Sequence, residues 1–457
     1  MLPLKKPVPV EGEPEEFVKP GSATYQAVKG MRDLVGDDVH AHHGFIEKAA
    51  DIALYYGFKP IHTPLLEDAR VFTTTIGQSS DIVEKEMFLV KTKGGDLLAL
   101  RPEGTAGVMR AYLEHGMQNQ TQPVMLYYSG SFYRYDRPQR GRYREFRQFG
   151  LEIIGTEKSI ADAMIMQILL LTLEESGIKN LRLVINSIGD KECRPGYRRE
   201  LVSYYRKRQE ELCKDCKNRF KVNPLRLLDC KDPKCQPLKL GAPQSVSFLC
   251  DPCKKHFKEV LEYLESLGVE YVIDSTLVRG LDYYTRTVFE IQEWEAPTAA
   301  PVSGGVPPEP APPLALASGG RYDYLAKSLG SKKDVPGVGA AIGVDRVVAR
   351  EDRIEMMPRL VKKPKIYFIQ LGFDAKLKSM SVIEILRKVR IPVAQSLSKD
   401  SLGSQLGTAE KLKIPFAIIL GQREVLDNTV IVRNMENRSQ DVVKIDKLSE
   451  YLKKVKL

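Results

Sequence analysis

No apolar run in the 457 residues is long enough to cross a bilayer. The opening segment MLPLKKPVPVEGEPEEF has no apolar core of the kind an export signal needs. A cytoplasmic chain without a membrane partner is therefore expected. Cysteine is confined to one region: Cys193, Cys213, Cys216, Cys230, Cys235, Cys250 and Cys253 fall within about sixty residues. An odd, clustered set with no export signal argues against a disulfide scaffold. A phosphate-binding P-loop is missing as well. The glycine-rich stretch GVGAAIGVDR (Gly337 to Arg346) stands before a helix and would let backbone approach a ligand closely, but it lacks the Walker Lys and Ser/Thr and does not fit GxGxxG after a strand.

What is present is an ordinary globular composition, 43% hydrophobic and 28% charged, on a chain long enough for several domains. The formal net charge is +10. From Lys362 to Leu457 there are 19 Lys plus Arg against 10 Asp plus Glu, so almost the whole excess sits in the last fifth of the chain. A local excess of this kind favours a nucleic-acid surface over a merely solvated lysine-rich face.

The pattern along the chain divides it. Residues 1–25 are polar, carry proline and show no periodic apolar face, which predicts a flexible tail. Residues 26–190 form the first part of a core. Within it a helix is expected over His40 to Tyr56, an edge or interface strand with two prolines over Gly57 to Glu67, and a helix over Gly104 to Gly116. Two strands, Val124 to Asp136 and Arg144 to Gly155, are joined by the polar loop RPQRGRY, which suits an antiparallel pair. An apolar helix over Ile160 to Ser176 and a strand over Leu181 to Gly189 follow. Residues 191–267 read as a helical, basic, cysteine-bearing insertion. The core resumes over 268–361 with strands at Val269 to Gly280 and Thr285 to Trp294. It is interrupted by a Pro/Ala/Gly-rich flexible loop, Glu295 to Ala317. After the KKPK hinge, residues 362–457 alternate strand and helix as a small α/β domain.

The loudest signal is FYRYDRPQRGRYREFRQFGLE (Phe132 to Glu152). On a strand, alternate side chains share a face, so Phe132 goes with Arg134, and Arg144, Phe146, Gln148, Gly150 and Glu152 go together. An aromatic ring, an arginine, an amide and a carboxylate on one surface could hold a nucleotide and a small polar ligand. The same hairpin could equally be a basic surface for RNA backbone. In LRPEGTAG, Glu103 and Thr105 stand at a helix mouth, where alone they read as capping. In LVRGLDYYTRTVFE (Leu277 to Glu290), Arg279, Asp282, Tyr283 and Tyr284 crowd a strand end broken by Gly280, which favours a site over core packing.

Cys213-x-x-Cys216 and Cys250-x-x-Cys253 have zinc-ribbon spacing, with Cys230 and Cys235 as further ligands for a structural zinc; reduced thiols are the alternative. His40, His42 and His43 read as a solvated helix start.

The order of elements resembles class II aminoacyl-tRNA synthetases. Their three signatures appear as GFKPIHTPLLE, FYRYDRPQRGRYREFRQ and GVGAAIGVDR. The intervening DIVEKEMF, LRPEGTAG and LVRGLDYYTRTVFE resemble the histidine-specific members, and the likeness runs from VKGMRDL (Val28 to Leu34) to the end of the chain. The resemblance implies an α+β fold: an antiparallel-sheet catalytic core with a helical insertion and a C-terminal α/β anticodon-binding domain. It implies ligation of histidine to tRNA(His) through a histidyl-adenylate, with ATP as substrate, Mg²⁺ on the phosphates, and a homodimer.

It also implies residue roles. Arg134 and Arg279 would be catalytic, at the α-phosphate. Arg134, Arg142 and Arg346 would bind ATP. Glu103, Gly104, Thr105, Gln148, Glu152, Tyr283 and Tyr284, with Arg134 and Arg279, would bind histidine, and a carboxylate beside a phenol would read the imidazole. Arg137 and Gln139 would meet the acceptor end of the tRNA. Asp345 stands where the family often has Glu, and the loop Glu295 to Ala317 is longer than the family's and should lie outside the site. A non-catalytic regulatory paralogue of the synthetase is the rival reading, and an RNA-binding module without chemistry is a second. Such paralogues tend to lose the C-terminal domain and several site residues, both of which are present here, and an RNA-binding module leaves Glu152, Tyr284 and Arg279 unexplained.

Overall fold

A computed structural model describes residues 25–77, 80–137, 141–294, 315–350, 356–359 and 361–455. The chain divides into two units, Met1–Pro358 and Arg359–Leu457. In the first unit the described strands are β1 (Lys59–Pro60), β2 (Leu66–Asp68), β3 (Leu89–Lys91), β4 (Leu97–Leu100), β5 (Val124–Tyr133), β6 (Glu145–Ile154), β7 (Leu181–Ser187), β8 (Tyr271–Ile273), β9 (Thr285–Glu293), β10 (Ala315–Arg321) and β11 (Gly337–Gly343).

Eight of them form one sheet in the order β1-β5-β6-β11-β10-β9-β7-β8. Its centre, from β5 to β7, is antiparallel throughout, and only the edge strands β1 and β8 pair in parallel. The α+β expectation holds, with the antiparallel core as its basis. A second sheet, β2-β4-β3, has three short strands.

Alternation assigns the two faces of the large sheet. Phe149, Leu151 and Ile153 of β6 point to one side and pack on Phe45, Ala49 and Ala53 of the helix Asp37–Tyr55 and on Ile165, Leu169 and Leu173 of the helix Ile160–Glu175. That second helix is apolar nearly all round because helix Asp251–Ser266 covers it from outside with Phe257, Val260 and Leu264. Full burial of leucines and isoleucines of this kind contributes roughly 1.5–3 kcal/mol each relative to exposure. The opposite face carries Leu126, Tyr128 and Phe132 of β5, with helix Thr105–Glu114 and part of the insertion against them. The candidate site lies on this second face.

Several boundaries differ from the sequence reading. Gly57 to Glu67 is not one strand. After Ile61 N donates to Tyr127 O at 2.9 Å the chain leaves the large sheet, and it re-enters order in the small one. Pro60 and Pro64 lack the N–H groups that would continue the ladder. Of Val269 to Gly280 only β8 is strand. Ala315 to Ala317, read as loop, belong to β10, while the rest of that loop lies outside the described residues. His42 is buried rather than solvated, 3.6 Å from the Asp345 carboxylate; burial lowers its pKa to about 4, so it sits there neutral.

The insertion is helical, with helices Arg194–Arg206, Lys214–Val222 and Asp251–Ser266 joined by short 3-10 turns. The second unit has β12 (Ile366–Gln370), β13 (Val393–Gln395), β14 (Phe416–Leu420), β15 (Thr429–Asn434) and β16 (Gln440–Lys444) in the order β13-β12-β14-β15-β16. The first three are parallel with helical crossovers, as expected. Strands β15 and β16, which the sequence reading missed, add an antiparallel hairpin.

Candidate active site

The hairpin β5–β6 puts Tyr128 opposite Gly150, Gly130 opposite Gln148 and Phe132 opposite Phe146. Phe132 is fully buried beneath the Arg101 guanidinium, so it supports the floor and cannot stack on a base. Phe146 is the half-buried ring of this face, with Arg134 at 5.3 Å from its centre. Gly150 is required by packing: a Cβ there would stand 2.1 Å from the Tyr128 ring.

Behind this surface lies a buried polar network. Glu103 caps the helix Thr105–Glu114, accepting from Thr105 N at 2.7 Å and Ala106 N at 2.9 Å. It also accepts from the Tyr283 hydroxyl at 3.2 Å. Thr105 donates its hydroxyl to Glu152 Oε1 at 2.7 Å, and Tyr322 donates to Glu152 Oε2 at 2.5 Å. Glu152 is fully buried, and burial pushes its carboxyl up to about 8, although the Tyr322 and Thr105 hydroxyls favour the ionised form. Burial raises the Glu103 carboxyl too, against its two backbone N–H bonds.

Gly339 of β11 lies opposite Glu152, and a Cβ there would stand 1.6 Å from Glu152 Oε2. The glycines of GVGAAIGVDR thus make room for Glu152, for the Tyr322 ring beside Gly337, and for the Arg346 side chain beside Gly343. They form a central strand rather than a backbone approach to ligand.

Four arginines converge next to this network. Arg134 donates from Nε to Pro102 O at 2.9 Å, and burial, with Arg279 adding repulsion, holds its guanidinium below the usual range. Arg346 is lowered by burial and then by Arg142, Arg134 and Arg279. Arg279 is ion-paired with Glu290 and donates to Ser318 Oγ at 2.7 Å. Burial works most strongly against the charge of Arg279, but Glu290 together with Tyr284, Asp229 and Tyr283 outweighs it and raises the pKa. Its Nε is buried with no hydrogen-bond partner among the described residues. Arg142 reaches Asp136 at 3.3 Å. Cations gathered in this way, with Glu290 and Asp136 offsetting part of their charge, could hold a polyanion, whose arrival would remove the remaining repulsion.

The remaining arginines of the stretch do other work. Arg144 lies over the Tyr135 ring at 3.7 Å. Arg147 gives its backbone N–H to Asp345 Oδ2 at 2.5 Å, and Asp345 also accepts from Arg32 at 3.1 Å. The shorter Asp thus ties the start of the helix Val344–Val348 to β6. Arg137 is exposed after the hairpin strand, while Arg140 and Gln139 lie outside the described residues.

The structure brings Glu103, Gly104, Thr105, Glu152, Tyr283 and Tyr284 into one buried cluster beside Arg134 and Arg279, with Gln148 on the same face of β6. Tyr284 lies against Tyr283, with ring centres 4.7 Å apart, and the phenol bonded to Glu152 is Tyr322. Sequence reasoning missed Tyr322, Tyr128, Ser318, Glu290 and Glu86. Glu86 is the largest charge opposing the depression of Arg134. Glu86 and Glu290 lay inside DIVEKEMF and LVRGLDYYTRTVFE, and the register of β9 and β10, which sets Glu290 against Ser318, was the missing information.

The family profile described as Histidyl-tRNA synthetase matches residues 30–189, and that described as Anticodon binding domain matches residues 365–455. A histidine--tRNA ligase of Dehalococcoides mccartyi is 40% identical over 430 residues, covering 94% of this chain and 99% of the relative. The chain belongs to the histidyl-tRNA synthetase family. A histidine--tRNA ligase of Thermodesulfovibrio yellowstonii is 38% identical over 94% of this chain and 98% of its own length. Among solved structures, apo histidyl-tRNA synthetase of S. aureus superposes with a TM-score of 0.75 at 30% identity, covering 94% of this chain and 99% of that one. A chain from Bacillus halodurans described as an ATP phosphoribosyltransferase regulatory subunit/histidyl-tRNA synthetase has a TM-score of 0.58 at 21% identity over 85% of this chain, a likeness of fold. Among the described residues no helix is long and apolar enough to cross a membrane.

Proposed function

We infer that this chain ligates L-histidine to tRNA(His) in two ATP-dependent steps, and that the four-arginine cluster beside the buried Glu152–Tyr322 pair is where it does so. The observation that carries the reading is this adjacency. Four arginines suited to a polyanion lie beside a buried carboxyl and phenol, groups that suit a ring that both donates and accepts hydrogen bonds. Glu152 takes the imidazole N–H, with Tyr283, Tyr284 and Tyr322 enclosing the ring. Glu103 and Thr105, at the helix mouth beside Gly104, and Gln148 bind the ammonium and neighbouring polar atoms.

In the first step an oxygen of the histidine carboxylate attacks the α-phosphorus of ATP and pyrophosphate leaves. Arg134 and Arg279 stabilise the charge that builds on the α-phosphate, while Arg142 and Arg346 hold the triphosphate. Mg²⁺ would enter with the phosphates and add positive charge where pyrophosphate leaves, and Glu290, beside Arg279, is the carboxylate that would help hold it. In the second step a ribose hydroxyl of the tRNA's terminal adenosine attacks the adenylate carbonyl and AMP leaves. Arg137 and Gln139 meet the acceptor end, and the basic C-terminal unit reads the anticodon.

The chain acts in the cytoplasm as a homodimer. Exposed Leu66 and Val90 on one face of the small sheet, and Leu89 and Leu97 on the other, leave apolar surface that such an assembly could cover. The match of residues 365–455 to an anticodon-binding domain favours this reading over the regulatory paralogue.

The deciding experiment is histidine-dependent exchange of pyrophosphate into ATP, with Arg279→Ala as control. Robust exchange by the intact chain, cut at least about 100-fold by the substitution, is expected from loss of one fixed cation at the transition state. No exchange by the intact chain overturns the reading.

A further inference from the structure

The seven cysteines fall into two clusters that differ from the zinc ribbon suggested by spacing. Cys213, Cys216, Cys230 and Cys235 form one. Cys193, Cys250 and Cys253 join Asp190 in the other, so the two Cys-x-x-Cys pairs belong to separate groups. In each cluster the four ligand atoms all lie within 4.8 Å of one another. We propose that the insertion holds two tetrahedral zinc ions, one in a four-cysteine site that organises its tip and one in an Asp190–Cys193–Cys250–Cys253 site that clasps its base to the catalytic sheet.

The distances suit a single ion. Zinc–thiolate bonds of about 2.3 Å in a tetrahedron set neighbouring sulfurs about 3.8 Å apart. Cys213 Sγ lies 3.8 Å from Cys230 Sγ, and Cys193 Sγ lies 3.5 Å from Cys250 Sγ. A cluster of several irons would hold its sulfurs farther apart than this. All seven cysteines are free, so no disulfide competes for them. Tetrahedral S₄ and S₃O sets suit a borderline-soft ion with no geometric preference of its own.

Backbone N–H groups point at the sulfurs. Cys216 N donates to Cys213 Sγ at 3.4 Å, Cys213 N to Cys235 Sγ at 3.3 Å, and Asp232 N to Cys230 Sγ at 3.4 Å. At the base, Asp190 N donates to Cys193 Sγ at 3.4 Å. Backbone N–H groups directed at ligating sulfurs fix ligand orientation and offset charge, as outer-shell groups of metal sites do. Asp190 is itself held by Glu192 N at 3.0 Å, and Arg286 stands 3.7 Å from its second oxygen. Packing of thiols as small hydrophobes explains their burial but not these directed donors.

The position of the base site gives it a role. Asp190 and Cys193 follow the end of β7, and Cys250 stands immediately before the helix Asp251–Ser266. An ion there joins the two ends of the insertion. Next to Cys193, Arg194 donates to the backbone O of Tyr284, so the clasp is one residue from a contact with the candidate histidine pocket.

The test is metal analysis of the full-length chain purified without chelators or added metal. Two zinc per chain are expected. Cys230→Ser/Cys235→Ser and Cys250→Ser/Cys253→Ser should each retain one. Zinc-edge absorption fine structure on the unsubstituted chain should show about 3.5 sulfurs and about 0.5 oxygen per zinc, averaged over an S₄ and an S₃O site, and needs no variant to fold. Less than half a zinc per chain with seven thiols freely reactive to a disulfide reagent overturns the proposal. One zinc in the unsubstituted chain overturns the two-site arrangement, and iron with inorganic sulfide overturns the assignment of the metal. Histidine-dependent pyrophosphate exchange, assayed with Mg²⁺, by a chain that purifies without zinc would leave the proposed activity standing while the metal sites fail, so the two readings separate.

Discussion

Tyr322 donates its hydroxyl to Glu152 Oε2 at 2.5 Å, in a position where neither group meets water. The pair is joined from the other side by Thr105, and Tyr128 and Glu103 lie close enough to act on the carboxyl. Burial still dominates, and the carboxyl titrates near pH 8. The consequences can be measured.

Between the ordinary glutamate pKa and about 8, the folded chain holds a proton on Glu152 that the unfolded chain has released. Stability therefore falls as pH rises through this window, and the contribution is fully present only below the unfolded value. Glu152→Gln removes the titration while keeping the shape. The difference in unfolding free energy between variant and parent, followed in urea from pH 5 to pH 9, should move in the variant's favour by on the order of a few kcal/mol as pH rises. A difference flat with pH would show that Glu152 titrates normally. Measured above pH 8, where Glu152 is ionised, the same variant should lose about 100-fold or more in kcat/KM for histidine, because an amide can still accept from the ring but carries no charge to draw its N–H.

Much of this pocket was legible before any fold was known. Residue type and strand alternation grouped Gln148, Gly150 and Glu152, and Arg279 with Tyr283 and Tyr284 stood out as an odd crowd at a strand end. Tyr322 was not legible. Its partner is 170 residues away, and the link depends on β10 and β11 lying between β9 and β6 in the sheet, which no local pattern encodes. Strands β15 and β16 were missed for a different reason: VIVRN and QDVVK are short, and β16 is exposed along most of its length, so burial leaves little periodic trace. The glycine-rich stretch was seen but misread, since its glycines yield space to side chains of neighbouring strands, a requirement visible only across the sheet.

Tyr322→Phe tests the hydroxyl alone. The ring stays packed, but a buried carboxylate oxygen loses its donor, which costs about 1–3 kcal/mol when the group is ionised. Histidine binding should weaken by roughly 10-fold to 100-fold, read as the rise in Kd by calorimetry. Tyr284→Phe should have a smaller effect on that Kd, since the hydroxyl held by Glu152 belongs to Tyr322. An equal effect from both substitutions would count against the assignment of the pair.

Gly339 offers a test of packing. Its added Cβ would meet Glu152 Oε2 at 1.6 Å and the Leu151 backbone carbonyl at 2.8 Å, both in the centre of the sheet. Gly339→Ala should destabilise by about 3 kcal/mol or more, in the range of severe core overpacking, or fail to yield folded chain. Gly196→Ala is the control. That glycine sits in the helix Arg194–Arg206, and a methyl added to it would have nothing within 4 Å. The substitution should stabilise by about 0.5–1 kcal/mol. Thermal melts of the two variants decide the matter; a Gly339→Ala chain that melts with the parent would refute the register of β6 against β11.

Arg279 is held by Glu290 and Ser318, and this anchoring separates charge from placement. Glu290→Gln keeps a hydrogen-bond acceptor beside the guanidinium but removes the opposing charge. If Arg279 acts on the α-phosphate only in the transition state, loss of its anchor should lower kcat by about 10-fold to 100-fold while KM for histidine changes little. Ser318→Ala should lower kcat less, by about 10-fold or under, because one neutral hydrogen bond contributes about 1 kcal/mol. Single-turnover formation of the adenylate, measured apart from transfer to tRNA, isolates the affected step. A large rise in KM with kcat unchanged would instead assign Glu290 to ground-state binding, and Arg279 would then be a substrate clamp rather than a catalytic cation.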